Sequence, residues 1–254
     1  MNTNGKEPVA STLSPQQDPM GAAILDYYTN GKANKLRVLS SMFEEDVMPI
    51  KHLFRTEKEM PPLEKKALSM AKGRVLDVGA GAGCHALTLQ NKGFEVTAID
   101  ISPLSCQVMT QRGITHVSCI NLFDRRLHDK FDTILLLMNG TGIAEKLDKL
   151  LLLLNRLASL LNDNGQILID SSDLKYIYTD DDGVAQIDLN GPYYGEVDYQ
   201  MIYQDIKGES FDWLYVDFNM LQMVCHSCQL DCQLIEKGSH YDYLARITSR
   251  PSHA

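Results

Sequence analysis

The chain has 254 residues, of which 44% are hydrophobic and 22% are charged, as in an ordinary globular protein with a substantial buried core. Its 33 acidic residues outnumber the 24 lysines and arginines, which gives a formal net charge of −9 at pH 7. Because nucleic acid backbones and anionic membranes attract clustered positive charge, this balance argues against both partners, and we expect neither.

The first part of the chain, 1–20, is polar and rich in serine and proline. We expect a disordered tail there, because the segment holds too little apolar surface to offset the entropy of ordering. It lacks the apolar run of a secretory signal, and nowhere does the sequence approach the roughly 20 consecutive apolar residues of a membrane-spanning helix. We therefore expect a cytoplasmic protein whose six cysteines remain thiols.

The next segment, 21–72, carries apolar residues at helical spacing, with Pro49, Pro61 and Pro62 as interruptions. This pattern predicts a mostly helical segment. From Arg74 onwards, short β-branched runs alternate with longer helical patterns, which is typical of repeated strand–helix–strand units and a parallel sheet. The predicted strands lie at 74–78, 95–99, 116–120, 133–137 and 166–170, and the predicted helices at 84–92, 103–112 and 145–161.

The alternation of strands and helices stops after Asp173. The remaining sequence predicts an acidic loop at 178–190, a hairpin of strands 199–206 and 211–216, a helix at 217–229, and a final strand pair at 230–236 and 241–247. The fold class is therefore α/β, with a doubly wound, mostly parallel sheet and a β-hairpin insertion.

The most informative segment is a glycine-rich turn, DVGAGAG at 77–83, placed where a predicted buried strand must turn into a helix. Glycines allow a tight bend and let a ligand approach without a Cβ in the way, and the helix that follows offers free N–H groups. Asp100 ends the next predicted strand, 21 residues after Gly79. Its carboxylate is suited to accept hydrogen bonds from both hydroxyls of a ribose.

A glycine-rich turn also suits dinucleotide enzymes, and two details distinguish the two ligands. The spacing G-x-G-x-x-G requires glycine at position 84, where this chain has Cys84. Asp77 precedes Gly79 by two positions, and a carboxylate there repels a pyrophosphate but attracts an α-ammonium group. The turn therefore favours a nucleoside that carries an amino acid and a sulfonium over NAD. The alternative for Asp77 is a role as a helix- or loop-capping acid.

With these residues the chain resembles the class I S-adenosylmethionine-dependent methyltransferases. The segment GRVLDVGAGAGCHALTLQNKGFEVTAIDISP is similar to the family's first two motifs, and HVSCINLFD and KFDTILLLMNGTG resemble the third and fourth. The flanks MPIKHLFR, GESFDWLYVDF and YDYLARI look like a bacterial group with a helical N-terminal lid. The resemblance implies a seven-stranded Rossmann-like sheet, a lid at 21–72, and a methyltransferase domain at 73–250 with an insertion at about 174–216.

The resemblance further implies S-adenosylmethionine as cofactor and S-adenosylhomocysteine as product. Carried over position by position, it assigns the methionine part to the glycine turn, the ribose to the acid after the second strand, the adenine to the residues that follow, and the mouth of the crevice to the end of the fourth strand. The cofactor-binding residues are then Asp77, Gly79, Ala80, Gly81, Gly83, Asp100, Ile101, Asn121, Leu122 and Met138.

The methyl acceptor is expected to be a small molecule. No catalytic residue is assigned, because a carboxylate, thiolate or ring nitrogen attacks a sulfonium methyl group without a base. Substrate-binding candidates lie in the segments that would cover the crevice: Tyr27, Tyr28, His52, Arg55, Asn139, Tyr193 and Tyr194. The tyrosines suit a cation–π wall, and interface packing is the equal alternative. A structural role is the alternative for His52.

Two other functions stay open: another transferase on this fold, such as an aminopropyltransferase, or a non-catalytic protein that binds S-adenosylmethionine. His85 is expected to be a buried histidine with its hydrogen bonds satisfied. Cys225, Cys228 and Cys232 lie mostly on one predicted helix without a second cysteine pair elsewhere. That spacing favours buried thiols over a metal site, so we expect no metal.

Overall fold

Two β-sheets and the helices packed on them make up the protein, in a computed structural model that describes residues 11–180, 182–188 and 190–250. The strands in chain order are β1 (Leu36–Leu39), β2 (Asp46–Met48), β3 (Val75–Val78), β4 (Val96–Asp100), β5 (His116–Cys119), β6 (Phe131–Leu136), β7 (Leu161–Ser172), β8 (Glu196–Tyr203), β9 (Ile206–Lys207), β10 (Phe211–Leu214), β11 (Leu230–Lys237) and β12 (Asp242–Ser249). The α-helices are α1 (Pro19–Asn30), α2 (Pro62–Met70), α3 (Cys84–Asn91), α4 (Pro103–Gln111), α5 (Leu147–Ala158) and α6 (Phe218–Ser227).

The larger sheet has seven strands in the order β11-β12-β7-β6-β3-β4-β5. The five strands from β7 to β5 run parallel, and β12 and β11 are added antiparallel at one edge. One face packs against α5 and α6, and the other packs against α2, α3 and α4. The predicted doubly wound, mostly parallel sheet is confirmed, and its strands and helices lie within a few residues of the predicted positions.

Hydrophobic burial and capping explain why these elements form where they do. All four residues of β3 are buried, as expected for a central strand covered on both faces. Helix α5 buries Leu150, Leu153, Leu154 and Leu157 at helical spacing. Helix α4 starts at Pro103, and the preceding Ser102 side chain accepts a hydrogen bond from a backbone N–H in the first turn.

The second sheet is antiparallel, in the order β10-β8-β1-β2, with β9 paired to β8. The predicted hairpin is confirmed as β8 and β10, but the mostly helical prediction for 21–72 is wrong over β1 and β2. Leu36, at the start of β1, is fully buried opposite Tyr203 of β8. A four-residue strand carries too little periodicity to be recognised alone, because its partner lies far along the chain.

The predicted disordered tail at 1–20 is wrong for 11–20, while residues 1–10 lie outside the described part of the chain. The Leu13 N–H donates to the Ile101 carbonyl at 2.9 Å. Asp18 is 1% exposed, its carboxylate caps α1 through the Gly21 N–H, and it accepts from the Ser102 hydroxyl. The polar groups of this segment are hydrogen-bonded to the rest of the domain, so its polar composition does not indicate disorder.

The longest helices of the described residues have 12 residues, and none is long and apolar enough to cross a membrane.

Candidate functional site

An open crevice of about 1790 Å³ lies at the carboxyl ends of β3, β4 and β6, between the two sheets. Ligands of open α/β sheets bind at this edge, and a pocket for one drug-sized molecule measures roughly 300–1,000 Å³. The crevice therefore has room for more than one such molecule. All the predicted cofactor residues except Gly83 line it: Asp77, Gly79, Ala80, Gly81, Asp100, Ile101, Asn121, Leu122 and Met138.

Two of the three glycines in the turn after β3 have different tasks. Gly81 has a φ of +56°, and a Cβ placed on it would meet no atom within 4 Å. Gly83 has a φ of +79°, and a Cβ there would lie 2.3 Å from Ile114 Cδ1. Gly81 thus keeps the backbone open towards the crevice, whereas Gly83 packs against the core behind the turn.

Asp100, at the end of β4, joins the glycine turn to the loop that follows β4. One carboxylate oxygen accepts from the Gly81 N–H at 2.8 Å, and the other accepts from the Ser102 N–H at 2.9 Å. Burial raises the pKa of Asp100 to about 6, although the N–H groups of Ser102 and Gly81 favour the charged form, and nearby Asp18 adds to the increase. The carboxylate is thus fixed at the border of the crevice.

Asp77 is 2% exposed and accepts a hydrogen bond from the Ala86 N–H at 3.1 Å. Ala86 lies in the first turn of α3, so the described contact is the capping role named above as the alternative. Burial raises the pKa of Asp77, while the nearby His85 lowers it.

The residues after β4 and β5 form the next part of the crevice wall. Ile101 is 38% exposed, and its carbonyl accepts from the Leu13 N–H. The Asn121 carboxamide oxygen accepts from the Phe123 N–H at 2.9 Å, and the Leu122 carbonyl accepts from Arg156 at 2.7 Å. An exposed aliphatic side chain thus stands beside a fixed amide.

The loop after β6 is held by a buried carboxylate. Asp170, on β7, accepts from the N–H groups of Met138 at 3.1 Å and Gly140 at 3.2 Å. Met138 and Asn139 have φ values of 68° and 61°, in the left-handed region, which asparagine tolerates but which methionine adopts only when the surroundings impose it. Burial raises the pKa of Asp170 to about 6. Asp170 thereby positions Met138 at the crevice.

The substrate-binding candidates of the N-terminal segment do not reach the crevice. Tyr27 packs on Phe54 with ring centroids 4.8 Å apart, and the Tyr28 hydroxyl donates to the Gln111 carbonyl at 3.0 Å. His52 is exposed on the surface. Within the described structure neither the two tyrosines nor His52 line the crevice.

Arg55, the fourth candidate, belongs to a buried ionic cluster with Glu64 and His85. One Glu64 carboxylate oxygen accepts from Arg55 Nη2 at 2.5 Å and lies 2.8 Å from His85 Nε2. Burial alone lowers the pKa of His85, but Cys84, Glu64 and Asp77 raise it well above its usual value. The prediction of a buried histidine with satisfied hydrogen bonds is confirmed, and Arg55 is occupied by the same cluster.

The remaining candidates are also occupied by structural contacts. The Tyr193 hydroxyl donates to Asp217 at 2.7 Å, the Tyr194 hydroxyl donates to Asp173 at 2.8 Å, and their rings lie 4.5 Å apart. The Asn139 amide donates to the Leu214 carbonyl at 3.2 Å, which links the loop after β6 to β10. Packing between elements, the equal alternative for the tyrosines, is what the described structure shows.

Sequence reasoning missed an aromatic wall on the second sheet. Phe211, Trp213 and Tyr215 line the crevice together with Tyr199 of β8 and Tyr176 of the short 3₁₀ helix at 174–178. The available signal is the sequence FDWLY, in which every second residue is aromatic, because alternate residues of an extended chain share a face.

The crevice wall is electronegative. The carboxylates that line it are Asp18, Glu44, Glu45, Asp46, Asp77, Asp100, Glu145, Glu209 and Asp212. Lys149 is the sole lysine or arginine among the described lining residues, and its ammonium group pairs with Glu145. Some of the acids are neutralised from outside the crevice, as Glu45 is by Arg37 and Asp212 by Lys146.

The glycine turn, the acid after the second parallel strand and the crevice at the strand ends define a nucleoside-binding α/β protein. A family model described as a methyltransferase domain matches residues 52–217. A similar solved structure is the crystal structure of an S-adenosylmethionine-dependent methyltransferase from Bacteroides fragilis in complex with S-adenosyl-L-homocysteine. Its sequence is 52% identical to this one, the TM-score is 0.90, and the match covers 94% of this chain and 98% of that one.

Two further relatives are more distant. A protein named as an uncharacterized methyltransferase from Staphylococcus carnosus is 25% identical over 182 residues, which are 71% of this chain and 80% of the relative. The CcbJ methyltransferase from Streptomyces caelestis has 14% identity and a TM-score of 0.62, covering 92% of this chain and 98% of that one, and shares the fold. The chain belongs to the class I S-adenosylmethionine-dependent methyltransferases, as its motifs predict, and it is a methyltransferase.

Proposed function

We propose that the protein transfers the methyl group of S-adenosylmethionine to a small-molecule acceptor that binds beside the cofactor in the crevice. The observation that carries the proposal is the pairing of Gly81 with Asp100. Because Gly81 has no side chain, its backbone is open to the crevice. The Asp100 carboxylate accepts from the Gly81 N–H and also lines the crevice. The residues fit a nucleoside that carries an amino acid.

In this proposal the backbone from Gly79 to Gly81 and the amino end of α3 face the methionine part of the cofactor. Asp100 accepts from the ribose hydroxyls, and Ile101 covers one face of the adenine, near Asn121 and Leu122. Asp77 and Gly83 support the turn, through the Ala86 N–H and through packing against Ile114. Met138 stands at the mouth, where the acceptor approaches.

The cofactor supplies an electrophilic methyl carbon, and the protein's part is to align the acceptor and exclude water. We propose that 21–72, which contains β1 and β2, acts with the insertion at about 174–216 as a cover over the catalytic domain at 73–250. The support is that β1 pairs with β8, so one sheet joins both segments and forms a wall of the crevice. An electronegative crevice wall favours a small acceptor over a nucleic acid.

The bound product in the Bacteroides fragilis structure supports the same cofactor here. We also place the enzyme in the cytoplasm, which is supported by its cysteines being free thiols in the described structure. No observation favours an aminopropyl transfer or a non-catalytic role.

The proposal is tested by calorimetry of S-adenosylhomocysteine binding to Asp100→Ala and Gly81→Val. Hydrogen bonds to a charged group contribute about 1.5–3 kcal/mol each, so the loss of two in Asp100→Ala weakens binding by about 100-fold or more. Gly81→Val places a branched side chain in the crevice at a positive φ, and we expect binding to be lost.

Asp129→Ala is the matched control, because Asp129 lies exposed on a surface loop. Circular dichroism verifies that each variant is folded. Wild-type affinity in both folded site variants would overturn the assignment of the site.

A further inference from the structure

The crevice extends beyond the nucleoside end into an aromatic chamber, which we define as the space faced by Tyr176, Tyr199, Phe211, Trp213 and Tyr215. Phe211 lies between two of these rings, with centroids 6.1 Å from Tyr199 and 6.1 Å from Trp213. Burial raises the pKa of Tyr215, and the nearby Tyr199 and Tyr176 add to the increase, so the three residues belong to one group. The Tyr176 ring is itself stacked on Tyr241 with centroids 4.5 Å apart, and aliphatic residues such as Ile177 and Met201 line the crevice beside the rings.

The chamber is fixed against the loop after β6, beside the mouth of the proposed cofactor site. Trp213 packs directly on Gly142, since a Cβ on this glycine would lie 1.9 Å from the indole Cε2. The Thr141 hydroxyl donates to the Leu214 carbonyl at 2.9 Å, which attaches β10 to the same loop. The chamber is therefore attached to the loop that contains Met138, which also lines the crevice.

A pair of tyrosine hydroxyls gives the chamber a polar point. The hydroxyl oxygens of Tyr199 and Tyr215 lie 3.0 Å apart, and either can donate to the other. Two O–H groups share this one hydrogen bond, and in the described part of the chain neither hydroxyl has another partner. The pair can therefore donate one further hydrogen bond and accept others. Burial raises the pKa of both phenols, so both stay neutral at physiological pH.

The charges around the chamber select against anions. Asp46, opposite Val38 on the second sheet, acts electrostatically on Tyr199, and the hydrogen bond described for its side chain is to the Val47 N–H. Lys149 is the sole lysine or arginine among the described lining residues, and Glu145 neutralises it. Among the described lining residues no lysine or arginine is left unpaired to bind a carboxylate or phosphate, whereas ring faces attract a cation at roughly 0.5–2 kcal/mol each.

We infer that the acceptor is an amine, held as its cation by the aromatic chamber and the Tyr199–Tyr215 pair, and that the methyl group is transferred to its nitrogen. This inference rests on the proposed function and specifies its substrate class. Tyr199 and Tyr215 are positioning residues in it, because a neutral hydroxyl accepts from an ammonium N–H and orients the nitrogen.

The reaction balances without a further reactant. The bound ammonium loses one proton to water through the open crevice, which frees the nitrogen lone pair. That pair forms the new N–C bond as the C–S bond breaks and its electron pair returns to sulfur. The products are S-adenosylhomocysteine, the methylated amine in its protonated form, and the proton already released.

The test uses three probes with one phenol ring and different charge: tyramine, neutral 4-ethylphenol, and 3-(4-hydroxyphenyl)propionate. Each is titrated by calorimetry at pH 7.5 into the full chain saturated with S-adenosylhomocysteine. We expect tyramine to bind at least about tenfold more tightly than the propionate, which corresponds to about 1.4 kcal/mol. Tyr199→Phe and Tyr215→Phe each weaken tyramine binding by about tenfold or more, as for a hydrogen bond to a charged group, and leave 4-ethylphenol binding unchanged.

Tyr28→Phe is the matched control, because the Tyr28 hydroxyl bonds to Gln111 outside the crevice. Tyramine binding no tighter than that of the propionate or 4-ethylphenol, or unaffected by both chamber variants, would overturn the inference. The prior titration with S-adenosylhomocysteine separates the two proposals. If that product does not bind, the proposed function fails; if it binds and the amine preference is absent, this inference alone fails.

Discussion

The two ends of the crevice are built from the chain in opposite ways. At the nucleoside end, the Gly81 N–H and the Asp100 carboxylate are 19 residues apart in sequence. The acceptor end is formed by the second sheet, in which β1 pairs with β8 and Asn34 donates to the Tyr203 hydroxyl across 169 residues. In the proposed assignment, most of the cofactor contacts come from one local segment, 77–101, whereas the acceptor contacts come from segments brought together by folding.

The strands at the two ends of the crevice also differ in how deeply they are buried. Every residue of β3 is buried, whereas most residues of β8 are half-buried. A well-packed central strand provides more hydrophobic stabilisation than a strand at a crevice wall, so we expect the second sheet to open more easily than the parallel sheet.

The largest effect is expected from the buried cluster behind the nucleoside end. Glu64→Gln leaves the Arg55 guanidinium, whose side chain is 3% exposed, without its carboxylate. Removing one partner of a buried ion pair destabilises a protein by about 3–5 kcal/mol, and we expect this loss in urea unfolding. Glu57→Gln is the control, because the exposed pair of Glu57 with Lys92 should contribute at most about 1 kcal/mol. Equal stability losses in the two variants would contradict the account of the cluster.

The next effect separates the two ends of the crevice. Gly142→Ala puts a methyl group 1.9 Å from the Trp213 indole, which must move, and such overpacking destabilises by about 1–3 kcal/mol. Because the displaced indole lines the aromatic chamber, we expect tyramine binding to weaken about tenfold, which corresponds to about 1.4 kcal/mol, while S-adenosylhomocysteine binding changes little. Gly191→Ala, whose Cβ would make an ordinary 3.4 Å contact with Asp188, is the control. Parallel losses of both ligands would show that the ends are not independent.

The smallest effect is a pH dependence confined to the nucleoside end. The pKa of Asp100 is raised to about 6, and the proposed ribose contacts need the ionised carboxylate. Affinity for S-adenosylhomocysteine is then full well above pH 6 and falls as the pH drops through 6. At pH 5 about one molecule in eleven carries the ionised group, so binding is about tenfold weaker than at pH 7.5. Calorimetry across this range checks it; a constant affinity in the wild type, or the same slope in Asp100→Asn, would refute the assignment.

Local periodicity and spacing predicted the parallel sheet and most of the crevice wall at the nucleoside end. Short apolar runs predict the strands β3 to β7, and the glycines predict the turn at 77–83. Gly83 is the exception within that turn, because spacing alone does not distinguish a glycine that faces a ligand from one that packs on Ile114.

The contacts that the sequence did not predict join residues that are distant in the chain, at both ends of the crevice. Asp18 and its neighbours predict disorder by composition, but the bond from Ser102, 84 residues further on, orders them. Tyr194 and Arg55 are chemically suited to bind a substrate, yet Asp173 and Glu64 engage them instead. Residue type predicts what a side chain can do, and only the fold determines which partner it meets.

The most direct test of the account is a crystal structure of the protein with S-adenosylhomocysteine. We predict electron density for the amino-acid part against Gly79 to Gly81, with both ribose hydroxyls within hydrogen-bond distance of the Asp100 carboxylate. Density for the nucleoside elsewhere, or a ribose turned away from Asp100, would contradict the central claim.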